Sequence, residues 1–337
     1  MALYVFCFYE TFVRYKFMEI SVVVPIYNLS DVLDRLVAMF RNQTFTDFEL
    51  LLINDGSTDE TESMLAILED KNDFVNAIST KNQGQAAARN LGVKNARGKY
   101  VTFVDADDYV SSDYLSILFD AINYVPDADI ATVQHADIFE ASDIPETKAT
   151  GKRASALKVF TGLEAVEQSF RRNGQFLDVS IWGKIYKTNF IFERPLIEGH
   201  YFEDLAFVPK LLADAQKVVV SKAVAYYYLN QRSGSTVTSY SEKKSDDLLW
   251  ALEYLEHDFL SLIKNNKRLI KSYQIIKFNN LWMLYNWNSQ QNEEVFEQLV
   301  QVPMFDLIRG LLFGNASKQG MLFLTKTKLL KRKSDRN

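Results

Sequence analysis

Apolar and polar positions follow two rhythms over the first 135 residues. Ile20–Pro25 is a β-branched run closed by Pro, as expected of a strand buried on both faces. Leu33, Leu36, Val37 and Phe40 then recur at helical spacing, with Ser30 or Asp31 placed to cap that helix. Phe48–Asn54 is a second apolar run, ended by Asp55-Gly56-Ser57. A second helix, capped by Thr58 or Asp59, runs to about Glu69, and Phe74–Ser79 is a short strand. The Ala-rich segment Gln83–Asn95 is helical, and Gly98 breaks the chain before the strand Tyr100–Val104, which ends in Asp105-Ala106-Asp107-Asp108. Ser111 or Ser112 caps a helix through Leu115, Leu118 and Ile122, and Asp129–Val133 reads as another strand.

This alternation predicts an α/β fold with a mostly parallel sheet flanked by helices. In such sheets ligands bind beyond the carboxyl ends of the strands. The polar clusters Tyr27-Asn28, Asp55-Gly56-Ser57 and Asp105-Ala106-Asp107 stand at those ends, which predicts one cleft lined with carboxylates. After residue 134 the pattern loosens. Residues 137–153 read as a polar loop or hairpin, helical patterns follow at 162–172, 184–191 and 203–214, and strands at 217–220 and 224–229. From Ser241 the chain reads as helical through Lys264 and again from Arg268 to Asn288. The expected organisation is an extension over 1–17 and a catalytic domain over 18–240, with halves at 18–133 and 134–240. A helical region with a basic tail follows over 241–337. Met18, opening Met-Glu-Ile-Ser-Val-Val-Val-Pro, reads as a natural start; a short helix packed on the domain is the other reading of residues 1–17.

Charge and composition narrow the class. Lys and Arg total 38 against 43 Asp and Glu, a net charge of −5, which argues against a general nucleic-acid binder. A single cysteine excludes an intramolecular disulfide framework, and three scattered histidines do not look like a His-based metal site. A reducing cytosol fits, with no apolar run in the sequence long enough to span a bilayer. The aromatic share of 13% suits sugars and membrane interfaces.

The sharpest chemistry lies in Asp105 and Asp107. At this spacing both carboxylates can face one side, and two hard oxygen ligands suit Mg²⁺ or Mn²⁺. A solvated acidic turn is the plain alternative. Asp55 can accept hydrogen bonds from a pyrimidine or a ribose, or simply make a turn before the Thr58/Asp59 cap. Asn82-Gln83-Gly84 at a helix start allows close approach of a phosphate, and Arg89 could reach an anion or pair with a strand-end Asp. Glu203-Asp204 opens an amphipathic helix, either as favourable first-turn acidity or as a general base. Trp182 is a sugar platform or core, and Lys184 and Arg232 are diphosphate ligands or surface charge.

The succession Val22-Val23-Val24-Pro25-Ile26-Tyr27-Asn28, Asn54-Asp55-Gly56-Ser57-Thr58-Asp59, Asn82-Gln83-Gly84 to Ala88-Arg89-Asn90 and Asp105-Ala106-Asp107-Asp108 resembles family 2 glycosyltransferases of the GT-A fold. Trp182-Gly183-Lys184, Glu203-Asp204 and Tyr228–Ser235 are similar to segments of bacterial members that build capsule, exopolysaccharide or wall polymers. The resemblance covers residues 20–240. It implies an inverting transferase using a nucleotide-sugar, usually a UDP-sugar, with Mn²⁺ or Mg²⁺. It implies that Pro25, Tyr27 and Asp55, with Asn28 and Arg89 nearby, line the nucleoside pocket, and that Asn82, Gly84, Ala106, Lys184 and Arg232 contribute to donor binding. Asp105 then contacts the ribose or uridine side, Asp107 holds the metal, and Asp204 is the base with Glu203 beside it. The Gln-x-x-Arg-Trp motif of processive synthases is missing; the nearest stretch is Asn230-Gln231-Arg232-Ser233. A single-sugar transfer to a glycan or lipid-linked acceptor is the reading this supports.

The tail from Lys326 to Arg336 carries six cations and one anion after the apolar Met321-Leu322-Phe323-Leu324. This pattern suits peripheral contact with the inner face of an anionic membrane, or a frayed terminus. The helices after 241 could close the acceptor site, form a homodimer or dock a partner. Two other classes compete. A nucleotidyltransferase wants a Gly- and Lys-bearing loop after the first strand, where Tyr27-Asn28-Leu29-Ser30 has neither. A non-catalytic accessory subunit would lose the Asp-x-Asp or Glu-Asp, and both are present.

Overall fold

The computed structural model describes residues 18–144, 156–170, 177–230, 241–259, 266–287, 298–299 and 301–302. The first half is a parallel layer. Strands β1 (Met18–Ile26), β2 (Phe48–Asp55), β3 (Val75–Thr80) and β4 (Gly98–Phe103) alternate with helices α1 (Leu33–Arg41), α2 (Thr61–Lys71) and α3 (Gln85–Asn95). The strands line up as β3-β2-β1-β4, all parallel, with Ile26 beside Asn54 and Val23 beside Phe103. The order reverses direction at β1, so the carboxyl ends of β1, β2 and β4 open one crevice at a topological switch point.

Beyond β4 the sheet becomes mixed. The chain adds β5 (Tyr109–Val110), α4 (Tyr114–Ile122), β6 (Ala128–Ile138), β7 (Lys158–Phe160), α5 (Gly162–Ser169), β8 (Lys184–Lys187), α6 (Thr188–Phe192), α7 (Glu203–Asp214) and β9 (Lys217–Leu229). β8 runs antiparallel between β4 and β6, and β6 pairs parallel with β9. Two sequence expectations change here. Lys184-Ile185-Tyr186-Lys187 is a strand, not the start of a helix over 184–191, because its four residues fill the gap between β4 and β6. The strands expected at 217–220 and 224–229 are one, continued through an irregular register against β6.

Alternation along the strands builds two cores. Val22, Val24, Leu50 and Leu52 face α1, α2 and α4, while Val23, Leu51, Ile53 and Phe103 face α3, α5 and α7. Helices α8 (Glu242–Tyr254) and α9 (Lys267–Trp287) extend this second core through Leu248, Leu252, Tyr273 and Phe278. Among the described residues no helix is long and apolar enough to cross a membrane. The 1–17 extension, the basic tail, Arg232 and most of the 235–242 boundary lie outside the described residues.

Candidate active site

The crevice at the strand ends continues into a cavity of about 1190 Å³. Its walls come from the loop before α3, the end of β4, the segment before β8, the start of α7 and the faces of α8 and α9. Of the residues singled out in the sequence, Asn82, Gln83, Gly84, Arg89, Asp105, Trp182, Glu203 and Asp204 line it.

Arg89 organises that wall. It sits one turn into α3, is fully buried, and forks between distant carboxylates. Its Nη2 donates to Asp105 Oδ1 at 2.8 Å and its Nη1 to Glu203 Oε1 at 3.0 Å, with Asp204 Oδ1 3.7 Å from Nη1. One guanidinium thus faces three carboxylates in a closed environment. Burial and the neighbouring Asp204 push Glu203 up to about 7, against the pull of Arg89. Burial pushes Asp204 up too, opposed by Arg89 and by the Ile181 N–H that donates to Oδ2 at 3.0 Å. Among the described residues, Asp204 Oδ1 and Arg89 Nε are buried without a hydrogen-bond partner. Carboxylates pushed up by burial beside a cavity have a property that a general base needs.

Asp55 has a supporting position. Its two oxygens accept the N–H groups of Gln83 and Gly84, each at 2.8 Å, and so hold the loop that lines the cavity. Gly56 turns the chain at φ +71, where a Cβ would meet the Asn82 backbone N at 2.5 Å. Pro25 is buried at the end of β1, Tyr27 is 48% exposed, and Asn28, in left-handed backbone, accepts from the Thr58 N–H. These three stand at the same sheet edge, outside the cavity walls.

The Asp-x-Asp turn is clamped by a residue the sequence reading passed over. Arg35 of α1 donates to the carbonyls of Ala106, Asp107 and Asp108 at 2.9–3.1 Å, and its guanidinium lies 3.9 Å from the Tyr109 ring centre. Nothing in the helical pattern distinguishes Arg35 from an ordinary surface cation. Asp108 is buried and takes the Tyr226 hydroxyl at 2.6 Å and the Leu229 N–H at 2.9 Å. Burial, with Asp105 and Asp107, pushes it up to about 8. Among the described residues no three His, Cys, Asp or Glu side chains are grouped to hold a metal ion. Asp105 and Asp107 are still hard-oxygen donors beside an excess of negative charge, which fits Mg²⁺ or Mn²⁺ held by one or two carboxylates and completed by phosphate and water.

Lys184 is buried and gives its donors to Asp178 Oδ1 at 2.8 Å and to Ser180, so it faces protein rather than cavity. Asp178 also meets His135 Nδ1 at 3.0 Å. Beside them Trp182 stacks on the buried Tyr226 at 4.4 Å and on Tyr228 at 5.6 Å, and Trp182 and Tyr228 line the cavity.

The sequence model of glycosyl transferase family 2 matches residues 21–187. The cholesterol galactosyltransferase of Borreliella burgdorferi is 29% identical over 313 residues, 87% of this chain and 84% of that one. TarS of Staphylococcus aureus, a poly(ribitol-phosphate) beta-N-acetylglucosaminyltransferase, is 28% identical over 228 residues, 66% of this chain. The match spans 37% of TarS, little more than a third of its length. The crystal structure of TarS residues 1–349 with UDP-GlcNAc superposes with a TM-score of 0.58 at 18% identity, covering 87% of this chain and 88% of that one. The mannosyltransferase PcManGT of Pyrobaculum calidifontis, in complex with GDP-Man and Mn²⁺, gives 0.51 at 14% identity, with 93% and 80% covered. These two likenesses concern the fold, which is that of GT-A enzymes.

Proposed function

The chain is a family 2 glycosyltransferase, and from that premise we propose that it transfers one sugar from a UDP-sugar to a hydroxyl of a glycan or lipid-linked acceptor in bacterial surface-polymer synthesis. The observation that carries this reading is the Arg89 fork. It ties Asp105, at the donor end of the sheet, to Glu203 and Asp204 on α7 within one cavity. Support for the donor and the polymer comes from TarS, which acts on poly(ribitol-phosphate) and whose structure holds UDP-GlcNAc.

In this reading the nucleoside rests at the edge formed by Pro25, Tyr27, Asn28 and Asp55, and the diphosphate lies along the loop of Asn82 and Gly84. Asp204 takes the proton of the acceptor hydroxyl, with burial and Arg89 setting its basicity. The acceptor oxygen then forms its bond to the anomeric carbon from the face opposite the diphosphate, while the carbon–oxygen bond to the diphosphate breaks and its electron pair leaves with the UDP. One in-line displacement inverts the configuration. Asp107, with Asp105 beside it, would hold Mn²⁺ or Mg²⁺, which neutralises charge on the departing diphosphate when bound. Trp182 offers an apolar face to the sugar. Lys184 anchors the Asp178–Ser180 segment, and Arg232 is the remaining candidate for the diphosphate.

Calorimetric titration with UDP, with and without Mn²⁺, tests the donor site. Tight binding that weakens about tenfold or more without the metal or in Tyr27→Ala supports it. Equal, weak heats in every arm would remove it.

A further inference from the structure

The loop that delivers Glu203 and Asp204 is strained and is held from outside the matched family region. Gly199 and Phe202 both adopt left-handed backbone, at φ +88 and +59. Glycine does so at little cost, but for phenylalanine the conformation costs on the order of 1–2 kcal/mol. Such a residue persists only where its surroundings over-determine it. Phe202 immediately precedes Glu203, so its φ and ψ set the direction in which α7 begins and in which both carboxylates point.

The surroundings that fix it come from α8. Asp247 Oδ2 accepts the Tyr201 backbone N–H at 2.8 Å, and Oδ1 meets His200 Nδ1 at 2.9 Å. Lys243, one turn earlier, donates to Asp247 Oδ2 at 2.8 Å and to the Gly199 carbonyl at 3.0 Å. The His200 ring lies flat on Trp250 at 3.7 Å. Three successive residues, 199 to 201, are therefore tied to one helix through two backbone groups and one ring. The helix is a firm support. Leu248, Ala251 and Leu252 are buried in the core, and the Tyr273 hydroxyl of α9 donates to the Leu252 carbonyl at 2.8 Å. The Asp247 side chain is only 8% exposed, so its bonds face little competition from water.

We infer that Asp247 is a positioning residue of the transferase: by clamping residues 199–201 to α8 it fixes Phe202, and through it the Glu203–Asp204 pair against Arg89. The inference rests on the proposed role of that pair. It makes the helical region, which begins more than fifty residues after the family match ends at 187, a working part of the active site.

The test uses the full chain with Asp247→Asn and Lys243→Met, read in two ways. Hydrogen–deuterium exchange follows the amides of residues 199–206, with α3 as the internal control. Release of UDP from UDP-GlcNAc with Mn²⁺ gives kcat and KM. The expected result for Asp247→Asn is faster exchange over 199–206, unchanged exchange in α3, kcat lower by roughly ten- to a hundredfold and a nearly constant donor KM. Lys243 is 60% exposed and its variant is expected to fold, with smaller changes in the same direction. Unchanged exchange over 199–206 in Asp247→Asn, or a loosened loop with unaltered kcat, overturns the clamp. If the unmodified protein releases no UDP from UDP-GlcNAc or from any other UDP-sugar, the transferase reading fails, and the exchange data alone decide whether Asp247 holds the loop.

Discussion

Arg89 Nη1 lies 3.0 Å from Glu203 Oε1, although 114 residues separate them in sequence. That contact joins the helix behind the proposed donor loop to the helix bearing the proposed base. It also leaves more negative than positive charge in a closed site, since Asp105 and Asp204 face the same guanidinium. Removing the cation while keeping its bulk, in Arg89→Met, leaves the buried Glu203 and the partly buried Asp105 and Asp204 without compensation. The expected loss is roughly 3–5 kcal/mol of stability, read by urea denaturation, with UDP release abolished.

The raised position of Glu203 makes stability depend on pH in a definite direction. Its ordinary value of 4.5 is pushed to about 7 by burial and by Asp204. Between those values the folded protein holds a proton that the unfolded chain has released. Stability therefore falls as pH rises through that window, and the full cost is present above about 7. Glu203→Gln keeps the acceptor oxygen for Arg89 and removes the cost. Thermal melts are expected to show the variant stabilised at pH 8, by on the order of 1–3 kcal/mol, and little changed at pH 5. Equal shifts at both values would contradict the assignment.

The parallel half of the fold was legible because each of its strands is a continuous apolar run between a helical pattern and a polar cluster. Ile20–Pro25 and Phe48–Asn54 could hardly be anything else in an alternating chain. The clusters at their ends mark the crevice for the same reason. The second half was harder. Lys184–Lys187 carries no periodicity of its own and becomes a strand only because β4 and β6 flank it. Supporting residues were hidden too. Arg35 and Asp247 each hold a segment more than 45 residues away, and Asp178 holds Lys184 six residues on. On their own helices Arg35 and Asp247 look like ordinary solvated charge.

Arg35 is the next such residue to test. Its guanidinium holds three consecutive carbonyls of the Asp-x-Asp turn, a task suited to a planar fork and not to a point charge. Arg35→Lys is expected to lose part of the clamp and Arg35→Met all of it, at about 1–3 kcal/mol. Mn²⁺ titration in the presence of UDP should show weaker metal binding in that order. Metal binding that is unchanged in Arg35→Met would confine the residue to stability.

Gly56 shapes the loop before α3 through backbone geometry. An alanine there would meet the Asn82 N at 2.5 Å and adopt φ +71 under strain. Gly56→Ala is expected to cost roughly 1–3 kcal/mol and to displace the loop that Asp55 holds through Gln83 and Gly84. UDP affinity should fall with it, measured calorimetrically on the folded fraction.

In the proposed mechanism Asp107 and Asp204 divide metal holding and proton abstraction between them, and this division makes a direct prediction. It is tested most directly by UDP release from a panel of UDP-, GDP- and dTDP-sugars with Mn²⁺, using the unmodified protein, Asp107→Ala and Asp204→Asn. Metal-dependent release from one UDP-sugar, lost in Asp107→Ala, is the expected result. In Asp204→Asn, donor binding should be retained while transfer to an acceptor is lost. Absence of nucleotide-sugar binding with metal present, or transfer that survives Asp204→Asn, would contradict it.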